Sequence, residues 1–163
     1  MKIKNATNED FLTIREIANK SWPVAYGEIL SEEQLNWMLS QFYSDDYLQK
    51  NIDQKHLFYL VFDNETAIGF FAIEHFYKNE NITKLHKLYL NPEIQNRGFG
   101  KKIIDFIVKE SVQNCCSCVS LNVNKYNKAV YFYKKMGFKI VLKEIIDIGN
   151  GYVMDDFGME KKL

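Results

Sequence analysis

The segment from Leu88 to Val108, LYLNPEIQNRGFGKKIIDFIV, limits the fold more tightly than any other. An apolar strand run stops at Pro92, which cannot donate to a ladder. A polar turn follows with Gly98 and Gly100. Beyond it Ile103, Ile104, Ile107, Val108 and Val112 recur at helical spacing, so the helix starts at the glycines. Two glycine-loop chemistries fail on spacing. The dinucleotide fingerprint needs a third glycine where Ile103 stands. The phosphate loop of nucleotide hydrolases needs glycine at Gln95 and serine or threonine at Lys102. Open backbone N–H groups at a helix start remain, where the helix dipole favours an anion such as pyrophosphate, with Arg97, Lys101 and Lys102 nearby. Local physics weighs that evenly against turn glycines followed by a solvated first helical turn.

The rest of the chain arranges itself around this unit. KIKNAT reads as a short strand, and Phe11, Ile14 and Ala18 in TNEDFLTIREIANKSW keep helical spacing behind a Thr7 cap. In SEEQLNWMLSQFY, Ser31 and Gln34 form a capping box ahead of Leu35, Met38, Leu39 and Phe42. DDYLQKNI adds a short helix. HLFYLVF and AIGFFAIEHF, separated by DNET, are paired antiparallel strands, and KLHKLYL is a third. After the glycine loop and its helix, CVSLNV is a strand, and NKAVYFYKKM places Ala129, Tyr133 and Met136 on one helical side, closed by Gly137. FKIVLKEIIDI and YVMDDFGMEKKL flank Asn150-Gly151, the strongest hairpin signal in the chain. The expected fold is one mixed α/β domain over residues 1–163: a central, mostly antiparallel twisted sheet flanked by helices, ending in a β-hairpin.

Composition narrows the function classes. Lysine plus arginine and aspartate plus glutamate both number 21, so no global basic field draws the chain to nucleic acid. Hydrophobic residues at 47% and aromatics at 15% supply a packed core. No apolar run is long enough to span a bilayer, and MKIKNATNEDF lacks the apolar core of a signal peptide, so a cytoplasmic protein without membrane partners is expected. Cys115, Cys116 and Cys118 offer too few ligands for a complete zinc site and read as reduced packing residues.

Q-x-x-G-x-G after LYLNPEI, with NKAVYFYKKMGF some thirty residues later, resembles the GNAT superfamily of N-acetyltransferases, and the order of strands and helices is similar over nearly the whole chain. The resemblance implies acetyl-coenzyme A as cofactor. Gln95, Asn96, Arg97, Gly98, Phe99, Gly100, Lys101 and Lys102 would then form the pyrophosphate loop, largely through backbone groups. Leu88 and Leu90 would lie on the strand that binds the acetyl and pantetheine portion. Asn127 falls one residue later than the family's usual cofactor-contacting asparagine, where Tyr126 stands, and Asn124 is a rival.

Acetyl transfer to an amine needs a free amine, a stabilised oxyanion and a proton for the departing thiolate. An alkylamine of pKa about 10.4 is roughly one part in a thousand deprotonated at neutral pH, so a base is required. The resemblance implies Tyr133 as general acid and the Leu90 N–H as oxyanion donor. His86 or Glu74 is the expected base. The same Tyr133 would equally serve as a core aromatic.

For the acceptor, Trp22, Tyr26 and Glu28 toward the amino terminus, and Asp155 or Asp156 near the carboxy terminus, suit a small cationic amine. The pattern resembles the diamine and polyamine branch of the superfamily. Two alternatives stand beside it: a non-catalytic coenzyme A-binding or protein-interaction module, and an acetyltransferase for protein amino termini or lysines. Strand edges and the final hairpin allow a homodimer.

Overall fold

The computed structural model describes residues 1–94 and 97–163, so Gln95 and Asn96 lie outside the described residues. The chain divides into two compact units, residues 1–74 with 86–100, and residues 75–85 with 101–163.

The first unit opens with β1 (Lys2–Asn5), then α1 (Phe11–Tyr26), α2 (Glu32–Phe42) and α3 (Asp45–Asp53). β2 (Leu57–Asp63) and β3 (Thr66–Glu74) follow, and the unit takes in the end of β4 (Ile82–Leu90). β1 pairs antiparallel with β2, and β2 with β3, across a tight turn in which Asn64 takes φ 52°. Thr7 marks the start of the first helical segment: its N–H donates to the Asp10 carboxylate at 2.9 Å before α1 begins. α1 runs past Trp22, where the sequence suggested its end, to Tyr26. Pro23 lies in its last turn, and the Pro23 carbonyl accepts the Gly27 N–H at 2.9 Å. Ser31 Oγ accepts the Gln34 N–H at 3.1 Å and caps α2, and Ser44 does the same for α3 through Tyr47 at 3.3 Å. Ile14, Leu48, Val61, Phe70, Phe71 and Ile73 are fully enclosed in this unit's core.

The end of β4 is held closely. A Cβ at Gly69 would lie 2.4 Å from Leu90 Cδ2 and 2.7 Å from the Tyr89 carbonyl oxygen, so only glycine lets the two strands approach this far. Asn91 N–H donates to the Ile68 carbonyl at 2.8 Å, and the buried Ser21 hydroxyl lies 3.1 Å from the Leu90 carbonyl oxygen.

The second unit holds the start of β4, most of α4 (Phe99–Gln113), β5 (Cys118–Asn124), α5 (Ala129–Lys135), β6 (Lys139–Gly149) and β7 (Tyr152–Lys162). β4 runs parallel to β5, β5 pairs antiparallel with β7, and β7 with β6, giving the order β4-β5-β7-β6. Asn150 and Gly151 turn the final hairpin at φ 54° and 76°. Ile103, Ile104, Ile107, Leu121 and Met159 fill this core. The expected α/β class, mostly antiparallel pairing and terminal hairpin are all present.

Two helical faces differ from their sequence reading. In α4 the buried stripe passes from Ile107 to Ser111, whose hydroxyl donates to the Ile107 carbonyl at 2.7 Å, and Val112 is exposed. In α5 the buried residues are Val130 and Tyr133 rather than Ala129 and Met136, which are only part-buried. Cys116 and Cys118 are buried thiols and Cys115 is exposed. No helix among the described residues is long and apolar enough to cross a membrane.

Candidate active site

In the first unit, antiparallel pairing brings three titratable side chains together. Glu74 ends β3, His86 lies on β4, and His56 precedes β2. Glu74 Oε2 is 2.9 Å from His86 Nε2 and 3.7 Å from His56 Nε2. The two imidazoles stack, with centroids 3.8 Å apart and planes 12° from parallel. Burial pulls His56 down to about 4, helped by His86 and Lys87 and opposed by the Glu74 carboxylate, so it is neutral at neutral pH. The two candidate bases of the sequence thus form one hydrogen-bonded pair, with His56 as an unforeseen third member.

An aromatic set occupies the same unit. Trp22 packs against Tyr26 at 4.9 Å and against Tyr43 and Tyr89 at 5.7 Å, and its Nε1–H donates to the Tyr43 hydroxyl at 3.1 Å. Phe70 meets Tyr43 at 5.9 Å and Tyr89 at 5.6 Å, and the Tyr26 and Tyr89 hydroxyls are 3.4 Å apart. The Lys87 ammonium lies over the Tyr43 ring at 5.2 Å and the Tyr47 ring at 5.6 Å. Burial lowers Lys87 to about 8 and pushes the Tyr43 phenol well above its usual range. Trp22 is therefore mostly core, Tyr26 is half-buried, and Glu28 is exposed beyond the end of α1.

The glycine loop leads from this unit into α4. Gly98 takes φ +77°, and a Cβ there would meet nothing within 4 Å. The missing side chain leaves open space against the backbone rather than making room for another protein atom. Phe99 is buried and anchors the first turn, Arg97 is exposed, and Lys101 pairs with Asp105 at 3.0 Å. Exposed backbone, a 15-residue helix start and three basic residues fit the pyrophosphate of coenzyme A. Leu88 and Leu90 both lie on β4, part-exposed.

In the second unit Tyr133 is buried on α5 between Phe132 at 5.2 Å and Phe138 at 5.6 Å. Asn127 Oδ1 accepts the Ala129 N–H at 2.8 Å and caps α5, while the buried Asn124 uses its Oδ1 on the Tyr126 N–H at 3.0 Å. Asp155 is ion-paired to Lys125, so the two aspartates part company, as strand alternation requires. Asp156 is buried and its Oδ1 has no hydrogen-bond partner among the described residues. Burial, then repulsion from Glu144, raises it from the usual 3.8 to about 6 against the attraction of Lys84.

The stability consequence of Asp156 has a definite sign. Between about pH 4 and 6 the folded chain holds a proton that the unfolded chain has lost, so this group's contribution worsens as pH rises and stays unfavourable above 6. Asp156→Asn is expected to stabilise the protein at pH 7.5 by on the order of 1–3 kcal/mol and much less at pH 4.5. Urea unfolding of both proteins at the two pH values checks this; equal differences at both would remove the raised carboxyl from the account.

The sequence-family model described as "Acetyltransferase (GNAT) family" matches residues 11–138. The spermidine N(1)-acetyltransferase of Thermoplasma acidophilum is 30% identical, over 99% of this chain and 97% of its own length. The crystal structure of the PaiA N-acetyltransferase from Thermoplasma acidophilum in complex with coenzyme A superposes with a TM-score of 0.81 at 30% identity, covering 100% of both chains. The peptidyl-lysine N-acetyltransferase YjaB of Salmonella typhimurium is 31% identical over 59% of each chain.

Proposed function

The chain belongs to the acetyltransferase (GNAT) family and is an acetyl-coenzyme A-dependent N-acetyltransferase; from that premise we propose that its acceptor is a small cationic amine of the polyamine class, attacking directly in a ternary complex. One observation carries this reading. The aromatic set already holds an ammonium, that of Lys87 over Tyr43 and Tyr47, in the unit that also carries the Glu74–His86 pair. Ring faces that accept a cation therefore occur in the same unit as a proton acceptor. The full-length likeness to a spermidine acetyltransferase supports the same class.

Acetyl-coenzyme A, when bound, supplies the activated thioester. The loop from Gln95 to Lys102 would hold its pyrophosphate through backbone N–H groups, Leu88 and Leu90 would offer strand backbone to the pantetheine, and Asn127 would add a polar contact. The Glu74–His86 pair removes the ammonium proton, which lets an amine of high pKa react at neutral pH. The Leu90 N–H donates to the developing oxyanion. Tyr133 supplies the proton to the departing thiolate, a role resting on the family resemblance. Tyr26, Glu28, Trp22 and the aspartates 155 and 156 are the candidates for holding the rest of the acceptor. The whole of residues 1–163 works as a single acetyltransferase domain.

The test is a thiol-release assay on a panel of diamines, spermidine, a lysine-bearing peptide and a peptide with a free amino terminus, with products identified by mass spectrometry. The polyamines are expected to show the highest kcat/KM. Acetylation confined to the peptides would overturn the reading in favour of protein acetylation, the chemistry named for the shorter-matching relative.

A further inference from the structure

The His56, Glu74 and His86 cluster has the composition of a metal site as well as of a base. Its three candidate ligand atoms all lie within 4.8 Å of one another, and each residue is only partly buried. Zinc bound tetrahedrally at about 2.0–2.1 Å separates neighbouring nitrogen and oxygen ligands by roughly 3.3 Å. The observed separations of 2.9 Å and 3.7 Å to Glu74 Oε2 bracket that edge. Two imidazoles and one carboxylate form a borderline donor set that suits zinc and neighbouring divalent ions. We propose that His56, Glu74 and His86 bind one divalent transition-metal ion, zinc in the first instance, with its remaining position open to water.

The ion would replace the proton now shared between His86 and Glu74. The stacked rings must turn apart for both lone pairs to converge. One feature makes the site reversible rather than structural: His56 Nδ1 is buried without a hydrogen-bond partner among the described residues, so the outer support usual for a metal-bound imidazole is missing there. Because the ligands coincide with the proposed base, an ion bound here occupies the lone pairs that would take the proton, and turnover stops until the ion is removed. That inhibitory consequence rests on the base assignment; metal binding does not.

The experiment titrates chelator-treated, full-length protein with Zn²⁺ alone in competition with a chromophoric chelator, without acetyl-coenzyme A. One equivalent is expected to bind, with affinity falling by at least about tenfold in His56→Gln, Glu74→Gln and His86→Gln, since loss of even an outer partner has such an effect. Cys115→Ser serves as the control and should bind as the wild type does. Thermal unfolding of each metal-free variant separates lost ligands from lost fold. Cobalt(II) in place of zinc should give a spectrum lacking thiolate charge transfer. No binding to the wild type, binding untouched by the three substitutions, or binding abolished by Cys115→Ser would each overturn the proposal. Stoichiometric binding with unchanged turnover would support the site and remove the Glu74–His86 pair from the base role, so the two readings fail separately.

Discussion

Glu74→Gln is expected to lower kcat for amine acetylation by about a hundredfold or more while leaving KM for acetyl-coenzyme A nearly unchanged. Positioned proton transfer contributes on that scale, and the glutamine keeps the shape of the side chain. His86→Gln should behave alike, because Glu74 Oε2 and His86 Nε2 share one hydrogen bond at 2.9 Å. If the pair acts as a unit, the double variant is no worse than the more damaging single one. The pH profile adds a readout that packing damage would not move. With the pair intact the rate levels off once the base is deprotonated. Without it, the rate keeps rising toward the amine's own pKa of about 10.4, because only amine already neutral in solution can react. Steady-state kinetics from pH 6 to 10, with the ranges set by these constants, distinguishes the two. A decrease below about threefold, with the plateau retained, would assign the proton to water instead.

Phe70→Ala should cost about 3–5 kcal/mol of stability. Phe70 is fully buried at 0% exposure and supports both Tyr43 and Tyr89 by ring contacts. Deleting it opens a cavity beneath the aromatic set, and ordinary domains have only about 5–15 kcal/mol in total. Phe70→Leu, which fills most of the space, should lose less than half as much. Urea denaturation measures both. A loss under about 1 kcal/mol for the alanine would mean that α1 and α2 collapse onto β3, and that the set's geometry is not imposed from below.

Much of this was legible from residue order alone. The glycines that stop one element and start another, the Ser31 cap of α2, and the Asn150-Gly151 turn are local instructions, and local instructions survive folding. Tyr133, Gly98 and the strand residues Leu88 and Leu90 could be singled out because the family motifs are themselves continuous in sequence. His56 could not. Counted back from the DNET turn, an unbroken hairpin sets Ile73 opposite His56. A bulge between Val61 and Phe62 shifts the register, so that Leu57 faces Ile73 and the next position along faces Glu74. One extra residue in one strand thus decides which side chain meets the carboxylate. The extra residue is Ile68 on β3, and the adjacent Gly69, an isolated glycine inside a strand run, is its signal in the sequence. The faces of α4 and α5 were misjudged for a related reason. Near the end of a helix, neighbouring packing rather than apolar periodicity chooses which residue is covered, and Ser111 satisfies its hydroxyl on its own helix while Val112 remains outside.

Gly69 has an implication for how such a protein changes. The residue touches no candidate ligand, yet a single methyl there collides with the Tyr89 carbonyl and the Leu90 side chain. Tyr89 belongs to the aromatic set and Leu90 carries the proposed oxyanion donor, so mutation at position 69 would disturb acceptor recognition and acyl chemistry together. An experimenter diversifying this chain toward new amines would therefore do well to hold Ile68 to Phe70 constant and vary the outer turns of α1 and α2. There, altered preference need not drag the reaction centre with it.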